Sequence, residues 1–353
     1  MPGESLRKEE VIVLTAVQDT VKALFADPKI NETLNLGAVN SINWARILAQ
    51  TTYYFYSYFS LLKSSPFKEG NKVRFVVPTG NFGDILAGYF AKRMGLPAEK
   101  LVVATNENDI LDRFWKTGHY EKKAVHGVAA EGGIAADGAK AHEEGVKETL
   151  SPAMDILVSS NFERLLWFLA YEFAEEAGMD VEWTKKQAGQ EVEMWLKQLK
   201  SEGGFGVHAD VLQAAKKDFE SERVSDEETI ETIKKFYAAP TATSNAGKGG
   251  YILDPHSAIG VAASERSIVR ATPGTHHISL ATAHPAKFAN AVDLALENEP
   301  GFTFDAVLPE EFVGLESKVK RVIDVPRSAG WEGVRTIVEK EVDAELAFLN
   351  GGK

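Results

Sequence analysis

Hydrophobic and polar positions follow two periods along this chain, and the places where one gives way to the other mark its elements. The run Val73 to Val77 is short, largely apolar and β-branched, and is closed by Pro78, which predicts a strand buried in a parallel sheet. After it, Ile85, Leu86, Tyr89, Phe90 and Met94 recur at helical spacing. Between them lies Thr79-Gly80-Asn81-Phe82-Gly83-Asp84, so the stretch reads as a strand, a tight glycine-bearing turn and a helix N-terminus. Lys100 to Thr105 predicts a second strand, followed by a helix capped near Asn108 or Asp109. Met154 to Asn161 predicts a strand entering a helix that buries Leu165, Leu166, Phe168 and Leu169, with Ser159, Ser160 and Asn161 as caps. His276 to Thr282 predicts another strand. Strands alternating with helices imply a doubly wound, mostly parallel α/β architecture.

Other stretches read as helices or loops. A helical pattern from Asp19 to Ala26 is expected to stop at Asp27-Pro28. Asn40 to Arg46 opens a long helix with Ser or Asn as N-cap. The rings Tyr53, Tyr54, Phe55, Tyr56, Tyr58 and Phe59 surround that helix and predict burial on most sides. Gly127 to Gly145 reads as a loop-dominated surface segment. Trp183 to Ala239 is charged and amphipathic, with a capping box at Ser225 and Glu228, and predicts a helical insertion outside the main domain. Pro255 starts a further helix whose small residues Ala258, Gly260, Ala262 and Ala263 permit close packing on a sheet.

Composition narrows the function. A net charge of −12 argues against nucleic acid, whose binding rests on Lys and Arg. An anionic ligand must therefore be held locally against the global field. With no cysteine there is no thiolate nucleophile and no Cys-ligated metal, and no histidine pair has metal-binding helical spacing. The opening MPGESLRKEE lacks the apolar core of a secretory signal, and Ile47 to Leu62 falls short of the about 20 apolar residues of a membrane span. The expectation is a cytoplasmic protein without membrane or nucleic-acid partners.

The Thr79–Asp84 turn carries the candidate chemistry. Helical N–H groups without intrahelical partners, together with the positive end of the helix dipole, make such a turn a phosphate cradle. A purely steric tight turn is the competing reading, and the spacing fits neither common nucleotide fingerprint.

The run PTGNFGDILAGYFAKRMGLP, followed by LVVATN and NDILDRFWKTGHY, resembles the phosphate-loop region of fungal threonine synthases. NSINWARILAQ, SPAMDILVSSNFERLLWFLAYE, DPHSAIG and LATAHPAKF keep the family order from about residue 20 onward. The resemblance implies the tryptophan synthase β-like type II pyridoxal-phosphate fold. It divides the chain into an unmatched segment 1–18, an α/β domain of 19–180 and 240–353, and an insertion of 181–239. It implies pyridoxal 5′-phosphate held at its phosphate by Thr79, Gly80, Asn81, Phe82 and Gly83, with Thr282 near the pyridine nitrogen. Ser41, Asn43 and Arg46 are substrate-contact candidates, and each has an alternative role in capping or surface pairing. The implied reaction is that of O-phosphohomoserine and water giving threonine and phosphate.

Two family motifs are missing. The Schiff-base lysine between Phe and Asp and the Ser-Gly-Asp-Thr-Gly substrate loop do not occur in this sequence. Phe67-Lys68-Glu69 looks similar to the first but sits in a polar Pro/Gly-flanked loop. The chain is accordingly expected to correspond to the family without its N-terminal region and to bind the cofactor without covalent attachment. Alternatives are a catalytically silent homologue binding a phosphate-bearing ligand, or a chain that meets a protein partner or itself through an exposed sheet edge.

Overall fold

The computed structural model describes residues 20–34, 36–37, 43–122, 146–239, 250–320 and 322–351. Ser41, the segment Gly127–Gly145 and residues 1–18 lie outside the described residues. The chain forms two units, Val39–Glu310 and the paired termini Met1–Ala38 with Glu311–Lys353.

In the larger unit, four strands make one parallel sheet: β1 (Lys72–Pro78), β2 (Lys100–Thr105), β5 (Phe219–Arg223) and β6 (Thr275–Ser279), in the order β5-β2-β1-β6. A separate antiparallel pair joins β3 (His119–Glu121) to β4 (Gly204–Gly206). The helices are α1 (Trp44–Leu62), α2 (Gly83–Arg93), α3 (Ile110–Thr117), α4 (Phe162–Glu175), α5 (Val181–Ser201), α6 (Ala209–Asp218), α7 (Asp226–Ala238), α8 (Pro255–Arg270) and α9 (Ala289–Leu296).

The period-two alternation of β1 and β2 divides two cores. Val73, Phe75, Val77, Leu101 and Val103 join the large cluster with Tyr54, Leu86 and Phe162. Val76, Val102 and Ala104 face the other way, onto Ile259, Ala262 and Ala263 of α8. Helices thus cover both faces, which is why these strands read as nearly continuous apolar runs. Gly260 lets α8 approach, since a Cβ there would lie 2.7 Å from Ser279 Oγ and 3.0 Å from Pro78 Cγ.

Several expectations are corrected. Met154 to Asn161 is not a strand: Pro152–Met154 forms a 3-10 turn, and the chain stays irregular until α4. Pro152 donates no backbone hydrogen bond, and the Asp155 carboxylate accepts from the side chains of Asn106, Asn108 and Thr149 and from Thr149 N, tying the segment to these groups instead of to a neighbouring strand. The 181–239 stretch supplies α5, α6 and α7, and also β5, which pairs with β2 inside the sheet. The α1 rings are not buried all round. Tyr54 is 0% exposed and Tyr56 74%, so one face packs and the other meets solvent. In the smaller unit, the helix of residues 20–26 ends at Asp27 as expected, and a second helix, Pro28–Leu34, follows at once: Asp27 Oδ1 accepts from Ile30 N at 3.0 Å and Pro28 takes the first position.

Candidate functional site

Beyond the carboxyl ends of β1 and β6 lies a cavity of about 700 Å³. It is bounded by the 79–85 turn, by Arg46 and Tyr53 of α1, by Ala153 and Met154, by His256, and by residues 280–283 with Phe288. Parallel sheets present ligands at this end because the βα turns and helix N-termini converge there.

The turn is held from behind. Thr79 N donates to Ala104 O at 2.7 Å, and its hydroxyl donates to Val77 O at 2.6 Å. Phe82 has φ +64, a left-handed conformation that costs a side-chain-bearing residue about 1–2 kcal/mol. Its ring, 1% exposed, explains why the conformation persists. It packs edge-on to Phe162 at 5.3 Å, stacks on Trp115 at 6.0 Å and tilts against Phe219 at 6.1 Å. What Phe82 offers the cavity is therefore its backbone.

The 159–161 segment fixes the direction of the turn's peptides. Ser159 Oγ donates to Gly80 O at 2.8 Å, and Asn161 N and Nδ2 donate to Asn81 O at 3.1 and 2.9 Å. Ser160 Oγ donates to Asn81 Oδ1 at 3.1 Å. In a trans peptide the N–H opposes the C=O, so these bonds turn the Asn81 and Phe82 N–H groups away from that segment. Among the described residues, the N–H groups of Gly80 to Ile85 find no protein acceptor. Side-chain volume is excluded as well: a Cβ on Gly80 would stand 3.1 Å from Met154 Cα and 3.2 Å from Ala153 O. The three polar residues expected to cap α4 thus brace the turn instead, and α4 begins without a side-chain cap.

The structure sorts the predicted residues. Thr79, Gly80, Asn81, Phe82, Gly83, Thr282 and Arg46 all line the cavity. Asn43 is outside its lining and caps α1, accepting from Ala45 N at 2.9 Å. Thr282 N donates to Ser257 Oγ at 3.2 Å, while its hydroxyl has no partner among the described residues. Lys68 is exposed in the loop before the opposite end of β1, and no lysine lines the cavity among the described residues.

Two groups were missed by the sequence reading. Asp84, in the first turn of α2, accepts from the hydroxyls of Tyr53 and Tyr54. Burial pushes its pKa up, against those hydrogen bonds and the nearby Arg46 charge. Burial and the Asp84 charge also raise both tyrosines, which stay protonated as donors. The second group is Asp254, His256 and Ser257 at the start of α8. The Asp-Pro-His signal for it was visible, but its partners lie far away in sequence.

Comparison with known proteins agrees with this geometry. Residues 257–338 match the family described as "Threonine synthase, C-terminal". The chain is 51% identical over 327 residues to threonine synthase from Saccharomyces cerevisiae, covering 92% of this chain and 57% of that protein. The crystal structure of the yeast enzyme superposes with a TM-score of 0.76 at 49% identity, over 94% of this chain and 58% of the other. A pyridoxal-phosphate-bound threonine synthase from Brucella melitensis gives 0.64 at 39% identity, over 87% and 53%. The chain thus spans a little over half the length of these relatives, and its mixed α/β fold with a parallel sheet is theirs. On sequence and on fold, the chain matches threonine synthases over most of its own length and a little over half of theirs.

Proposed function

We propose that this chain carries the cofactor-phosphate side of a threonine synthase site, for pyridoxal 5′-phosphate-dependent conversion of O-phosphohomoserine and water to threonine and phosphate. The observation that carries the reading is the row of unaccepted N–H groups from Gly80 to Ile85, facing a cavity in which a side chain at position 80 has no room. Such a cradle fits a phosphoryl dianion. When bound, the pyridine ring of the cofactor withdraws electrons from substrate carbon.

The chain's own residues have separable duties. The turn binds the phosphoryl oxygens, and Asn161 and Ser159 keep its carbonyls turned away. Thr282, in the cavity lining, would offer its hydroxyl to the pyridine nitrogen and, being neutral, would leave that nitrogen largely unprotonated. Arg46 brings positive charge to the cavity of an otherwise acidic chain and suits the substrate's anionic groups. The base that moves protons is a lysine in this family, and with none in the described lining it belongs to polypeptide outside these elements. That polypeptide is the partner this reading requires, and the β6 edge of the sheet is where a further strand would add. Without it, the same cavity supports a second reading, a phosphate-ligand-binding homologue with no turnover.

The test is binding of pyridoxal 5′-phosphate to the full chain, followed by protein fluorescence. The expected result is reversible binding that dialysis removes, competition by inorganic phosphate, and at least about tenfold weaker binding of pyridoxal. Equal affinity for pyridoxal, or no competition, contradicts the proposal. Phosphate release from O-phosphohomoserine by the chain alone would reject the second reading.

A further inference from the structure

Asp254 is 1% exposed and caps α8, its Oδ1 accepting from His256 N at 2.9 Å and Ser257 N at 3.4 Å. Capping needs no more than that, and asparagine caps as well as aspartate. Yet Oδ1 also accepts from His256 Nδ1 at 3.0 Å, and Oδ2 accepts from the Ser257 hydroxyl. Both side chains are buried; His256 lines the cavity, and Ser257 meets the backbone of Thr282, which lines it too.

His256 Nε2 accepts from Ala153 N at 3.2 Å, which places the ring proton on Nδ1, toward Asp254. Ala153 is the residue whose carbonyl stands 3.2 Å from the Cβ that Gly80 lacks. On the other side, Ser257 Oγ gives its proton to Asp254 and accepts from Thr282 N at 3.2 Å. Phe288, 4.4 Å from the His256 ring, closes the cluster over the cavity. One carboxylate is therefore bonded, through one intermediary each, to backbone from chain positions 153 and 282.

We propose that Asp254 is a positioning residue that fixes the spacing of the cavity's two ends, the phosphate end through His256 and Ala153, the ring end through Ser257 and Thr282. What fills the cavity rests on the cofactor reading above; the hydrogen-bond relay does not. An aspartate is required because both intermediaries donate to it. Asparagine would keep an acceptor for His256 but turn a donor toward the donating Ser257 hydroxyl. In keeping with this, burial pushes the Asp254 carboxyl up, but the donors from His256 and Ser257 outweigh it and hold the group below the ordinary range.

The experiment uses the full chain and three variants, Asp254→Asn, Ser257→Ala and His256→Phe, with amide hydrogen exchange at Ala153 and Thr282. Binding of inorganic phosphate and of pyridoxal is measured alongside. Asp254→Asn and Ser257→Ala are expected to speed exchange at Thr282 about tenfold or more and leave Ala153 within about threefold; His256→Phe does the reverse. His256→Phe weakens inorganic phosphate about tenfold and pyridoxal little, and Ser257→Ala the opposite. Loss of both amides together in every variant, or unchanged Thr282 exchange in Asp254→Asn, overturns the proposal. Should the wild-type chain bind neither probe, the cofactor reading falls, and the exchange pattern alone decides the relay.

Discussion

The two ends of the same parallel sheet handle polar groups in opposite ways. At the amino end, the buried Arg74 donates from Nε to Glu99 at 2.7 Å and from Nη1 to Glu220 at 3.0 Å and Ser267 at 3.2 Å. His277 Nε2 completes the set on Ser267 Oγ at 3.1 Å, and burial together with the Arg74 charge lowers its pKa and keeps it neutral. Charge is matched internally there. At the carboxyl end, Gly80 to Ile85 present N–H groups to a cavity, and the surrounding hydrogen bonds serve to keep them aimed there. The proposed function rests on the end where the fold leaves donors unused.

This contrast can be broken at either end. Arg74→Ala leaves Glu99 and Glu220 without their buried partner and is expected to cost about 3 kcal/mol in urea unfolding, while inorganic phosphate affinity stays within about twofold. A parallel fall in phosphate affinity would mean the two ends are not separable. Gly80→Val forces side-chain volume onto the Met154 and Ala153 backbone; phosphate affinity should drop about 100-fold, with a stability loss of about 1–3 kcal/mol.

Two smaller effects sharpen the picture through pH. Burial, against the Leu150 N–H and with the Glu107 charge, raises the Asp226 pKa from 3.8 to about 6. The folded state therefore holds that proton more tightly than the unfolded chain, and its contribution is full below the unfolded value and lost as pH rises through about 6. Asp226→Asn should gain about 1 kcal/mol relative to wild type between pH 4 and pH 7, after allowance for partial exposure to water, as read by urea unfolding at both pH values. Smallest is Asp84→Asn. Asparagine keeps an oxygen for Tyr53 and Tyr54 but removes a negative charge beside the cradle, so phosphate should bind about threefold tighter at pH 8. Because the Asp84 pKa is raised, that advantage should shrink as pH falls and wild type protonates.

How much of this was legible in the chain follows from the range of the interactions. The β1 strand, the glycine turn and α2 are set by neighbours in sequence, and they were read correctly to within a residue or two. β5 was hidden because Phe-Glu-Ser-Glu-Arg looks like solvated helix; its glutamates are neutralised by Arg74, Arg266 and Arg270 from distant elements. Ser159, Ser160 and Asn161 looked like caps because capping is the local use of such residues, whereas their partners lie about 80 positions earlier. Tyr53 and Tyr54 read as core for the same reason: nothing nearby reveals that a buried carboxylate awaits their hydroxyls.

The most direct measurement is a titration of the full chain with inorganic phosphate, followed by backbone amide shifts. The account predicts that the largest saturable shifts fall on Gly80 through Ile85, with the Arg74 network silent. Saturable binding that leaves those amides unmoved, or shifts centred elsewhere, would contradict it.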